Sequence, residues 1–151
     1  MKKLALIALS FAVLAGPAFA QVKIDDPWVR ATVPQQKVTG AFMRITSARD
    51  ARLVSARSPV AGKVELHEMA MQNDVMKMRP VAAVDLPAGT AVELKPGAHH
   101  IMLFDLKQPM VEGETVPFVL VVEGKDGKRQ AVEVSAPVRP LNAAHGAGHG
   151  G

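Results

Sequence analysis

From Gln21 onward the chain is a succession of short runs rich in Val, Ile, Leu and Thr, cut about every ten residues by Pro, Gly, Asn or Asp. A helix needs an apolar period of 3.6 held over ten or more residues, and no stretch past residue 21 supplies one. What such a pattern can build is a set of short strands closed by tight turns, as in an antiparallel β-sandwich or barrel. Strands are predicted near 22–24 with 28–31, then 39–46, 53–58, 63–69, 75–79, 90–94, 99–106, 116–123 and 130–135. Turns are expected at Gln72-Asn73-Asp74, Pro87-Ala88-Gly89, Lys95-Pro96-Gly97, Val111-Glu112-Gly113 and Gly124-Lys125-Asp126-Gly127.

The two ends read differently. Met1-Lys2-Lys3 is a short positive region, Leu4 to Ala15 is apolar, and Ala18-Phe19-Ala20 has the small-x-small form of a signal-peptidase site. Residues 1–20 are therefore expected to be an export signal, which places the mature chain in the periplasm. The apolar run is shorter than the roughly 20 residues a span requires, so no membrane insertion of the mature chain is expected. One domain over 21–138 should follow. A Gly- and Ala-rich tail over 139–151, with almost nothing to bury, is expected to be disordered.

Charge and cysteine narrow the function classes. The formal net charge of +4 falls to +2 when Lys2 and Lys3 leave with the signal, and no basic stripe interleaved with aromatics is present, so nucleic acid is not expected as a partner. With no cysteine, the domain has no disulfide to hold it and no thiolate for a nucleophile, an iron–sulfur cluster or a blue-copper site.

Five of the eight methionines and three of the five histidines fall between Leu66 and Phe104. Side chains alternate faces along a strand. Val64, Leu66 and Glu68 then share one face, with the first two toward the core, while His67, Met69 and Met71 share the outer face. If Asn73-Asp74 is a two-residue turn, Met71 lies opposite Met76 and Met69 opposite Met78, so four sulfurs share one face of one hairpin. In the strand after Gly97, His100 and Met102 share a face, with His99, Ile101 and Leu103 on the reverse.

Thioether sulfur is a soft, uncharged donor that favours copper(I) over hard cations, and imidazole is a good borderline partner for the same ion. Zinc prefers thiolate, imidazole or carboxylate, and calcium an oxygen cage. The donor set therefore points to copper(I).

These residues resemble a known family. His67, ten residues, Met78, twenty-one residues, His100, one residue and Met102 match the H(M)-x10-M-x21-H-x-M motif of the periplasmic copper chaperones called PCuAC. The flanks Trp28-Val29-Arg30-Ala31, Ser58-Pro59-Val60-Ala61, Val64-Glu65-Leu66-His67-Glu68-Met69, Met78-Arg79-Pro80 and Leu94-Lys95-Pro96-Gly97 are similar too. The resemblance implies a cupredoxin-like antiparallel β-sandwich with Greek-key connections. It also implies one copper(I) held by His67, Met78, His100 and Met102, and delivery during assembly of the copper sites of cytochrome c oxidase. The acceptor would be the copper-bearing oxidase subunit or a thiol-bearing assembly factor, and the carrier a monomer. His99 departs from the family, which often has an apolar or aromatic residue there, and Met69, Met71 and Met76 are additional candidate ligands. His145 and His149 in the tail, like the His-rich extensions of that family, are candidates for a weaker copper(II) site.

Plainer readings stand beside these. Met43 and Met110 are read as core gap-fillers, His99 as a surface histidine, and Trp28 as a core aromatic. Arg79, Glu68 and Asp105 are read as solvated charges before imidazole-orienting partners. A hydrolase built on His67, Glu68 and His100 is disfavoured, because a hydrolytic zinc site needs nitrogen and oxygen ligands around an open water position. A storage or resistance protein that only sequesters copper shares the same ligand chemistry, and metal transfer to an acceptor separates the two.

Overall fold

Two stacked layers of strands enclose a hydrocarbon core in the computed structural model, which describes residues 21–140 and 142. The expected signal segment and the histidines at 145 and 149 lie outside the described residues. Ten strands form in chain order: β1 (Val22–Arg30), β2 (Thr39–Ser47), β3 (Ala51–Arg57), β4 (Ala61–Gln72), β5 (Val75–Pro80), β6 (Val84–Leu86), β7 (Ala91–Leu94), β8 (His100–Leu106), β9 (Thr115–Gly124) and β10 (Arg129–Arg139). Their order is β5-β4-β8-β2-β1-β10-β9-β3-β6, with β7 also paired to β2. All the pairings are antiparallel except that of β1 with β10. The expected all-β sandwich is what forms, and among the described residues no helix is long and apolar enough to cross a membrane.

The core follows from strict alternation. Leu53, Leu66, Ile101, Leu103, Leu120, Val122 and Val138 point between the layers and are almost completely buried. Met43 and Met110 join them, at 0% and 1% exposure, as the gap-filler reading expects. Glycines 89, 97, 113 and 127 adopt positive φ at the four turns predicted around them, conformations that cost glycine nothing.

Three features differ from the sequence reading. The three-residue β6, pairing with β3, is too short to carry an alternation pattern of its own. β10 continues to Arg139, which pairs with Arg30, past the predicted strand end at 135. Trp28 is fully buried, but on the outer face of its sheet, away from the core between the layers. The cause is a bulge: between the pairs Asp25 with Arg44 and Trp28 with Phe42, β1 spends one residue more than β2. One extra residue exchanges the faces, so Ile24 packs on the core while Trp28 turns outward against Phe42, ring centroids 4.6 Å apart.

Candidate metal centre

The hairpin β4–β5 has the register expected from its turn. Met69 stands opposite Met78, and Met71 opposite Met76. Asn73 and Asp74 both take positive φ, 50° and 61°, the signature of the two-residue turn that suits hairpin twist. On its other side β4 pairs with β8, placing His67 opposite His100 and Glu65 opposite Met102. His67 and Met102 are thus diagonal neighbours on one face, within the range over which long side chains meet.

Four of the candidate donors, Met69, Met78, His100 and Met102, line one cleft of about 280 Å³. Its remaining wall comes from Arg30, Gln36, Val38, Thr39, Gly40, Phe42, Pro96 and Gly97. Gly40 pairs with Met102, and a Cβ there would lie 2.8 Å from the Phe42 ring, so a glycine is what lets that ring lean toward the cleft. His67 sits one strand over beside His100, ring centroids 5.9 Å apart, and Phe104 covers it at 5.7 Å. Although His67 is on the outer face as expected, it is therefore buried, as are His100 and Met102; Met78 is 52% exposed. Met71 and Met76 lie farther along the hairpin, outside the cleft lining.

Hydrogen bonding fixes where the lone pairs are. The Ala98 carbonyl, 2.9 Å from Nδ1 of His100, can only accept, so Nδ1 carries the proton. Burial lowers the pKa of His100, with the charges of His67, His99 and Arg30 acting the same way against the opposing Ala98 carbonyl. The neutral ring then has a bare lone pair on Nε2, and that atom lies 3.2 Å from the Met78 sulfur. Two donors with no hydrogen between them face each other, an arrangement a shared cation would satisfy.

His67 shows the same logic from the other nitrogen. Its Nε2 is 2.8 Å from Glu65, whose pKa is held below its usual value first by that hydrogen bond and then by Lys63. A carboxylate accepts, so Nε2 donates. Nδ1 of His67 is left buried, with no partner among the described residues. A buried imidazole nitrogen without a partner is costly unless it is ligated, and a carboxylate on the far nitrogen is the usual brace of a metal-bound histidine. The donor set present, thioether and imidazole, fits a soft ion.

Glu65 is the residue the sequence reading missed, although strand alternation puts it on the face of His67, two residues away. Arg30 and Phe42 were missed because the segment 31–38 and the β2 pairing bring them in from far along the chain. Glu68 instead joins Arg79 at 2.6 Å and His99 at 3.3 Å, tying the neighbour of Met78 to the neighbour of His100. These pairs tie the ligand-bearing strands at the surface, where Arg79 remains 66% exposed, and Asp105 takes a positive φ of 54°.

Comparison with known proteins bears on the family and the fold. The family model described as "Putative lipoprotein LpqE-like" matches residues 22–138. A putative lipoprotein, Lxx21020 of Leifsonia xyli subsp. xyli, is 30% identical over 125 residues, covering 82% of this chain and 73% of its own. The solution structure of CuI-DR1885 from Deinococcus radiodurans superposes with a TM-score of 0.53 at 30% identity, covering 77% of this chain and 76% of its own. The copper-bound PCuAC domain from PmoF2 reaches a TM-score of 0.63 at 23% identity, covering 82% and 97%. The chain is a member of the LpqE-like family, and its fold is that of the PCuAC domains.

Proposed function

We propose that this protein is an extracytoplasmic copper(I) carrier, a binding protein rather than a catalyst. One ion is held by His67, Met78, His100 and Met102, with Met69 lining the same cleft. The observation that carries the reading is the contact of two lone-pair donors, His100 Nε2 and Met78 Sδ, 3.2 Å apart in a cleft that also holds Met69 and Met102. The copper-loaded relatives support the choice of metal, and the lipoprotein descriptions of the family, with the signal-like first twenty residues, support the compartment.

A carrier must let an acceptor's ligands enter while its own leave. Met78 is on the edge strand β5 and half exposed, whereas His100 and Met102 are buried behind it. Within this inner set, exchange would begin at that sulfur and end at the imidazoles. The acceptor chemistry this suits is a copper site of cytochrome c oxidase, or a thiol-bearing factor that assembles one.

Replacing both Met78 and Met102 with leucine preserves volume, and such swaps typically cost under about 1.5 kcal/mol each. The double variant is expected to stay folded and lose tight copper(I) binding. X-ray absorption of the copper(I)-loaded wild type is expected to show both sulfur and nitrogen neighbours. Retained tight binding in the double variant would refute the ligand assignment, and no copper movement from the loaded wild type to an apo oxidase domain or a thiol acceptor would replace delivery with storage.

A further inference from the structure

Beyond the pair His67 and His100, β4 leaves the body of the sheet. Among the described residues, 68–72 pair with β5 alone and β5 pairs with nothing but β4, so the hairpin is a two-stranded overhang. Near its tip Met71 faces Met76, 65% and 47% exposed. Sulfur-bearing side chains this open bury little apolar area, so packing does not account for the pair. Directly opposed side chains on an antiparallel pair have Cβ atoms about 5 Å apart, close enough for two flexible thioethers to close on one ion.

The next rung on the same face is Met69 with Met78, about 7 Å along the strand. Those two line the cleft with His100 and Met102. The hairpin thus presents a ladder of four thioethers that starts in solvent and ends at a buried imidazole. The turn at Asn73-Asp74 fixes the register that aligns the rungs, since a slip of one residue would turn either strand's sulfurs to the opposite face.

We infer that Met71 and Met76 form a second, outer site for a soft monovalent ion, copper(I) or silver(I), at which the ion enters and leaves. The inference rests on the inner-site reading above. The outer pair has two neutral sulfurs and no nitrogen, so it holds the ion more weakly than the inner set does. Passage inward is ligand exchange: a bond to Met69 or Met78 forms as one to Met71 or Met76 breaks, and the metal stays monovalent throughout.

Silver(I) titration of the mature chain carrying labelled methionine methyl groups, followed by NMR, tests this without redox chemistry. The first equivalent is expected to move the Met78 and Met102 signals, and the second those of Met71 and Met76. In the Met71→Leu/Met76→Leu variant the first event should persist, which also shows the fold is intact, and the second event at the hairpin should vanish. Met71 and Met76 signals that never move, or that move only together with Met78 in the first equivalent, would overturn the outer site while leaving the inner one standing. If Met78 and Met102 also stay still, the inner reading falls as well.

Discussion

Leu66, Ile101 and Leu103 turn one way from β4 and β8, while His67, His100 and Met102, interleaved with them, turn the other. Both sets are buried, yet by different means. The first packs in hydrocarbon between the layers. The second lies on the outside of the sheet under a satellite of rings, in which Phe42 stands 6.3 Å from His100 and the Arg30 guanidinium lies 5.3 Å over Phe42. The contrast teaches that in this fold a single residue step separates what holds the sandwich together from what holds the metal, so the two properties should respond to different substitutions.

The largest effect should come from breaking the inner face. Ile101→Ala removes a fully buried side chain between two candidate-ligand positions and should cost about 2–5 kcal/mol of stability. Thermal or urea unfolding would measure it, with copper(I) affinity of the folded fraction close to that of wild type. Met102→Leu, one residue on, should do the opposite: a small stability change and a large loss of affinity. If both variants lose stability and affinity together, the two faces are not separable.

This separation was legible in the sequence where alternation runs undisturbed. The pairs Met69 with Met78 and Met71 with Met76 follow from strand period and a two-residue Asn-Asp turn, and both are short-range facts. The faces of His100 and Ile101 follow in the same way. What was not legible depended on interruptions and on distant chain. The bulge near Asp26 and Pro27 inverted Trp28, because no pattern in nine residues shows where a strand spends an extra one. The burial of His67 depends on Phe104, brought across by the β4–β8 register, which no local rule specifies. The cleft wall from Arg30 and Phe42 was hidden for the same reason.

Glu65 sharpens the contrast on the outer face at a smaller scale. Its carboxylate braces His67 so that Nδ1 is free to ligate. Loss of such a brace typically weakens metal binding about 10–100-fold. Glu65→Ala should therefore lower copper(I) affinity by that amount in competition with a copper(I) chelator, and Glu65→Gln, whose amide oxygen still accepts, should fall between it and wild type. Lys63→Met removes the outer cation on Glu65, 3.3 Å away, and its contact 4.8 Å over the Phe104 ring, but no donor, and should leave affinity nearly unchanged. Wild-type affinity in Glu65→Ala would mean that His67 does not bind the metal through Nδ1.

The smallest expected effect is at a second carboxylate, in the opposite layer. Glu123 on β9 accepts from Arg52 at 2.7 Å and Arg129 at 2.9 Å, and these partners, Arg52 first, hold its pKa below the usual carboxylate value. The unfolded chain, with an ordinary glutamate near 4.3, binds the proton more readily than the folded one as pH falls. The ion pairs therefore stabilise the fold fully above about pH 5, and their contribution fades as pH drops through 4.3 and then through the lower folded value. Both arginines are largely exposed, so solvent and salt screen the pairs and the effect is modest. In Glu123→Gln, stability should be reduced at neutral pH, and the gap to wild type should close on acidification. Copper(I) affinity at neutral pH should not change, because the layer that carries Glu123 contributes no donor to the cleft. A copper(I) deficit in this variant would show that the layers are coupled, and that the division between holding the fold and holding the metal is not one of faces alone.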